Sequence, residues 1–118
     1  MKENVILDKS MEFAVKVVNL YKYLCSAKKE YVMSKQLLRS GTSIGANAHE
    51  AHNAQSHKDF ISKMYIAYKE ASETEYWIKL LTRTSYLDET QGKNTLKDCV
   101  ELKKILTAII KTSKTNSK

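Results

Sequence analysis

Not one proline occurs in the 118 residues of this chain, and glycine occurs only three times. Proline removes a backbone donor and breaks a helix from within, whereas strand-rich domains of similar length use proline and glycine freely in their turns. The chain therefore suits long uninterrupted helices and lacks the means for many tight turns. Its hydrophobic spacing agrees, because apolar residues recur at intervals of three and four along most of its length, the period of a helix with a buried face. A mass of 13.5 kDa leaves room for one domain with a single core.

Four segments carry the pattern, at about 9 to 27, 31 to 54, 57 to 86 and 88 to 113. In the first, Met11, Ala14, Val18, Tyr21 and Cys25 form one stripe. Phe13, Val17, Leu20 and Leu24 form a second, about 100° further round the helical wheel. Two stripes exceed what one core-facing face needs, so the second is expected to meet another subunit. The second segment has Leu37, Gly41, Ile44, Ala48 and Ala51 as its seam, a polar flank of Gln36, Arg39, Ser43 and Glu50, and Asn47 between them. Gly41 and Gly45 each cost helix propensity of ~1 kcal/mol relative to alanine, which close helix approach has to offset.

The third segment has the cleanest heptad: Phe60, Met64, Ala67, Ala71, Thr74, Ile78 and Leu81. Glu70 and Glu73 lie beside Ile66, Trp77 and Leu80, and Glu75 lies on the other flank near Tyr68. The fourth segment begins at Asp88, with Gln91 three residues on, or at Asn94 if Gly92 interrupts. Its apolar face is Leu96, Cys99, Leu102, Leu106 and Ile109 or Ile110. Short connections force successive helices antiparallel, which makes the fold an all-α, up-down-up-down four-helix bundle over residues 1–110. Residues 111–118, lysines among small polar residues, read as a basic disordered tail.

Two signatures stand out within these helices. One is Ser43-Ile44-Gly45-Ala46-Asn47 followed by Glu50; the other is Ser72-Glu73-Thr74-Glu75-Tyr76-Trp77 followed by Leu80-Leu81, with Phe60 and Ile66-Ala67 between them. Together they resemble the four-helix-bundle family first associated with intervening sequences in bacterial 23S ribosomal RNA genes, which includes the accessory variability proteins of diversity-generating retroelements. Where that family tends to read Asn-Ile-Ala-Glu-Gly, this chain has Asn47-Ala48-His49-Glu50-Ala51, without the closing glycine. The resemblance spans nearly the whole chain and implies a homopentameric ring. It also implies a nucleic-acid-binding role, which is argued for some members.

The carboxylates of these signatures need donors. Glu70, Glu73 and Glu75, with Arg39, Ser43, Asn47 and Glu50, read as structural polar residues at helix contacts, with Arg39, Asn47 and tyrosine hydroxyls as their partners. No nucleophile, phosphate loop or oxyanion arrangement accompanies them, so no catalytic residue is assigned and the chain is expected not to be an enzyme. His49, His52 and His57 cluster near Glu50 and Asp59. They fit neither the His-Glu-x-x-His spacing of a zinc protease nor the Glu-x-x-His pairs of a di-iron bundle, and neither a metal nor another cofactor is expected.

Charge points to a partner. The formal net charge is +7, and a basic balance favours an anionic partner such as RNA or DNA. In an antiparallel bundle Lys28, Lys29, Arg83 and Lys93 share one end, while Lys111, Lys114 and Lys118 gather at the other with Lys2, Lys9 and Lys58. The tyrosines and Trp77, spread along helical stripes, read as packing and interface residues rather than a base-stacking platform. Cys25 and Cys99 have no metal-ligand spacing and read as free thiols. With no signal-peptide run or membrane span, they point to the cytoplasm. The function expected is electrostatic nucleic-acid binding by a homo-oligomer. The alternative is a structural adaptor that docks a protein such as a retroelement reverse transcriptase.

Overall fold

A computed structural model of the chain describes residues 2–116. It contains four helices, α1 (Lys2–Ser26), α2 (Met33–His52), α3 (His57–Arg83) and α4 (Glu89–Thr115), and no strand among the described residues. Each helix packs on the next, and α1 packs on α4. Contacts run in opposite directions along every adjoining pair. Lys9 meets Glu101 while Lys16 meets Asp98 on α1 and α4; Ser40 meets Thr74 while Glu50 meets Lys63 on α2 and α3. The result is an antiparallel up-down-up-down bundle measuring 50 × 21 × 19 Å.

Local chemistry sets the helix ends. Lys29, at φ 55°, closes α1 in the left-handed conformation, which lets the Glu30 N–H donate back to the Leu24 carbonyl. Glu30 then caps α2, since its carboxylate accepts from the backbone N–H groups of Val32, Met33 and Ser34 at 3.1, 3.0 and 2.7 Å. Ser56 caps α3 by accepting from Asp59 N–H. Asp88, and not Asn94, starts α4: it forms a reciprocal capping box with Gln91. Gly92 lies within that helix because α4 crosses Thr82 there, and a Cβ at Gly92 would collide with the Thr82 side chain.

The core is one cluster drawn from all four helices, including Ile6, Leu37, Ile44, Met64, Ile78 and Leu106. Ser40 and Thr74, both fully buried, hydrogen-bond to each other at 2.9 Å, and Thr74 donates to the Glu70 carbonyl. No buried side-chain nitrogen or oxygen among the described residues lacks a partner.

α1 corrects two sequence expectations. It begins at Lys2 rather than near 9, because Ile6 is buried one turn ahead of Ser10 and two ahead of Phe13 and extends the core seam toward the start of the helix. Its stripes are also exchanged. Phe13, Val17 and Leu24 are buried within the single chain and Leu20 packs half-buried against them, so this stripe serves the chain's own core. The physical reason is Gly41, whose missing side chain lets α2 close onto Val17: a Cβ there would sit 2.8 Å from Val17 Cγ2. The other stripe turns outward, leaving Met11 exposed. At the far end, α4 runs two residues past the expected 113, through Lys111 and Lys114 to Thr115, so residues 111–115 are helix rather than disordered tail. His57, at the start of α3, bonds the Ser113 carbonyl across the bundle at 2.8 Å and supports this last turn.

Candidate nucleic-acid interface

The bundle's long faces differ in how their charges are used. On the α1/α4 face, Lys9 pairs with Glu101 at 3.3 Å and Lys16 pairs with Asp98. On the α2/α3 face, Arg39 reaches Glu70 at 3.3 Å and also Glu73, which accepts a further hydrogen bond from Trp77 Nε1 at 3.0 Å. These bonds hold the Glu73 carboxyl below the usual carboxylate range, with Arg39 the main cause and Trp77 the second, and they raise the Arg39 guanidinium in turn. Glu50 pairs with Lys63 at 3.1 Å. Asn47 lies apart from this network, donating to the Ser43 carbonyl of its own helix at 2.8 Å. Ser43 likewise donates to the Arg39 carbonyl. Neither reaches Glu73.

The α3/α4 face is different. Glu75 accepts from Lys103 at 2.8 Å and pairs with Lys79 at 2.9 Å, so its carboxyl is held low by Lys103 first and Lys79 second. Lys103 Nζ also lies 5.4 Å from the centre of the Tyr68 ring, within cation–π range. Tyr65 lies almost parallel to Tyr68, with ring centres 6.2 Å apart and planes 12° apart. Exposed Lys104 and Lys111 border these rings, and neither makes an ion pair with a described acid. Two adjoining grooves of about 310 and 440 Å³ run along this face and share Tyr68 and Thr107.

The basic residues singled out from sequence divide between the two ends of the bundle. Lys28, Lys29, Arg83 and Lys93 are all exposed near the α1–α2 and α3–α4 connections. Lys111 and Lys114 are exposed on the last turns of α4, and Lys118 lies outside the described residues. The sequence reading passes over Lys103, Lys104 and the Tyr65–Tyr68 pair. The available signal was the Tyr-x-x-Tyr spacing, which puts two rings on one helix face, but nothing in it says which helix lies opposite.

Other chemistry is sparse. Cys99 is buried and donates to the Ala71 carbonyl at 3.3 Å, and burial pushes its thiol up to about 12, so it is a poor nucleophile at neutral pH. His49 Nδ1 lies 2.8 Å from the Gly45 carbonyl of its own helix, while His57 serves the end of α4. No three histidines, cysteines or acids among the described residues come together as metal ligands. No helix among the described residues is long and apolar enough to cross a membrane.

Residues 2–108 match the family model described as 23S rRNA-intervening sequence protein. A crystal structure from Bacteroides thetaiotaomicron, described as a protein with unknown function from the S23 ribosomal protein family, is 59% identical. The similarity covers 94% of this chain and 99% of that one, with a TM-score of 0.93. No curated protein matches the chain.

Proposed function

The chain belongs to the family of 23S rRNA-intervening sequence proteins, and from that premise we propose that it is a non-enzymatic, homo-oligomeric bundle that binds RNA or DNA electrostatically. The observation that carries this reading is the internal use of acids. Glu50, Glu70, Glu73, Glu75, Asp98 and Glu101 each pair with a base of the same chain, and Glu30 and Asp88 serve as helix caps. Each pairing also engages a base, so the surplus of +7 remains, and exposed Lys28, Lys29, Arg83, Lys93, Lys104 and Lys111 are among the residues that carry it. Repetition of this charge in an oligomer gives a field that attracts a polyanion without a single strong site.

The proposed assembly is a pentameric ring in which the outer face of α1 meets a neighbour. Met11 and Val15 are each 55% exposed there, and Val18 continues the stripe half-buried. Large apolar side chains exposed side by side favour an interface. Two free cysteines support a role in the reducing cytoplasm. A salt titration of labelled RNA and DNA binding tests the reading. Affinity should fall with salt with a log-log slope of about −0.7 to −0.9 per phosphate neutralised and depend little on sequence. No binding to either at low salt would sink it and favour the protein-adaptor role.

A further inference from the structure

The α3/α4 face joins aromatic rings to lysines in excess of acids. Tyr65 is 53% exposed, its ring runs nearly parallel to that of Tyr68, and Lys103 lies over the Tyr68 ring. The acid lining the grooves, Glu75, is already covered by Lys79 and Lys103, so it does not repel an incoming anion as a bare carboxylate would. Lys103, Thr107, Lys111 and Lys114 recur along one side of α4, a row spanning about 16 Å at the helical rise of 1.5 Å per residue. Resting on the nucleic-acid reading above, we propose that this face is the binding site and that its ligand is single-stranded. An unpaired base stacks on Tyr65, and the phosphates on either side follow Lys104 and Lys111.

Two physical arguments favour a single strand. A duplex presents phosphates to lysines but keeps the faces of its bases covered, so an exposed tyrosine adds nothing to duplex affinity. A single strand can use both, since any base has a face to stack and the contact tolerates sequence. The groove chemistry also fits, because Val100, Ala108 and Ile110 give the floor an apolar character beneath the charged rim.

The test is fluorescence anisotropy with the full chain in its native assembly. The probes are a labelled oligouridylate, an oligothymidylate and a hairpin duplex, each measured across a salt series. The parent should prefer either single strand to the duplex. Tyr65→Ala should weaken single-strand binding by about 5- to 100-fold, the worth of one stacked base, and leave duplex binding unchanged. Tyr31→Ala, which removes an exposed ring at the opposite end of the bundle, should change neither. Lys104→Gln with Lys111→Gln should flatten the salt slope for the single strands.

Equal affinity for duplex and single strand, together with an inert Tyr65→Ala, would overturn this assignment while leaving general nucleic-acid binding intact. Absence of all binding would overturn both. Light scattering on Tyr65→Ala separates a third outcome, since a loss of assembled mass would make this face a subunit interface and exclude the site proposed here.

Discussion

Glu30 shows how much one side chain can hold. Desolvation is the largest single influence on its carboxyl and pushes its pKa up, yet hydrogen bonds from Met33, Ser34 and Val32 together outweigh it and leave the pKa lowered. Glu73 and Glu75 are lowered as well, by Arg39 and by Lys103 respectively. A carboxyl with a folded pKa below its unfolded value contributes stability that is complete above the unfolded pKa, about 4.3, and is lost as pH falls through the folded one. The urea midpoint should therefore hold level from neutral pH to about 5 and then drop on further acidification. Glu30→Gln should shrink that drop and lower stability at neutral pH. A midpoint that rises below pH 4 would contradict the assignment. Cys99 gives a second residue-level prediction. In a thiol titration at pH 8 the folded chain should react at Cys25, which is half-buried, while Cys99 reacts only after denaturation. Rapid reaction of both thiols in the folded chain would contradict it.

At the scale of the elements, close approach and helix termination are the levers. Gly41 is where α2 closes on Val17, and Gly41→Leu should destabilise by on the order of 1–3 kcal/mol or more despite its better helix propensity. Ser85, at φ 67°, ends α3 in a conformation that suits glycine, with the Tyr86 and Leu87 N–H groups both turned back to the Leu81 carbonyl. Ser85→Gly should raise stability by about 0.5–1 kcal/mol, relief of left-handed strain exceeding the added unfolded-state entropy. Thermal or urea unfolding reads both signs. The third helix was legible in the sequence because Met64, Ala67, Ala71, Thr74, Ile78 and Leu81 repeat without a rival stripe, and all six are buried. The first helix was not, because its two apolar stripes are equally periodic. Periodicity gives the angle between stripes but not which one faces inward, and that choice depends on a glycine in another helix. The tyrosine–lysine groove was hidden for a related reason, since Tyr68 and Lys103 meet only after α3 and α4 pair.

For the whole molecule, the placement of α1's outer stripe and of the lysine grooves on different sides of the bundle makes assembly and binding separable. Light scattering should give the parent several times 13.5 kDa, with five subunits preferred. Met11→Asp with Val15→Asp should lower that mass toward one subunit and keep the helical circular dichroism, because both side chains are exposed in the single chain. Val17→Asp should instead unfold the subunit, since it places a charge at a fully buried position. If the paired surface variant kept the parent's mass, the ring would have to close through another face. The same variant then tests the link to nucleic acid. A strand long enough to touch several subunits gains affinity from linked contacts, whereas a short one that fits a single α3/α4 face does not. The dissociated variant should therefore lose affinity for long single strands with a shallower salt slope, while its affinity for a short strand stays near that of the parent. Equal losses for long and short strands would mean that the binding site is itself built between subunits.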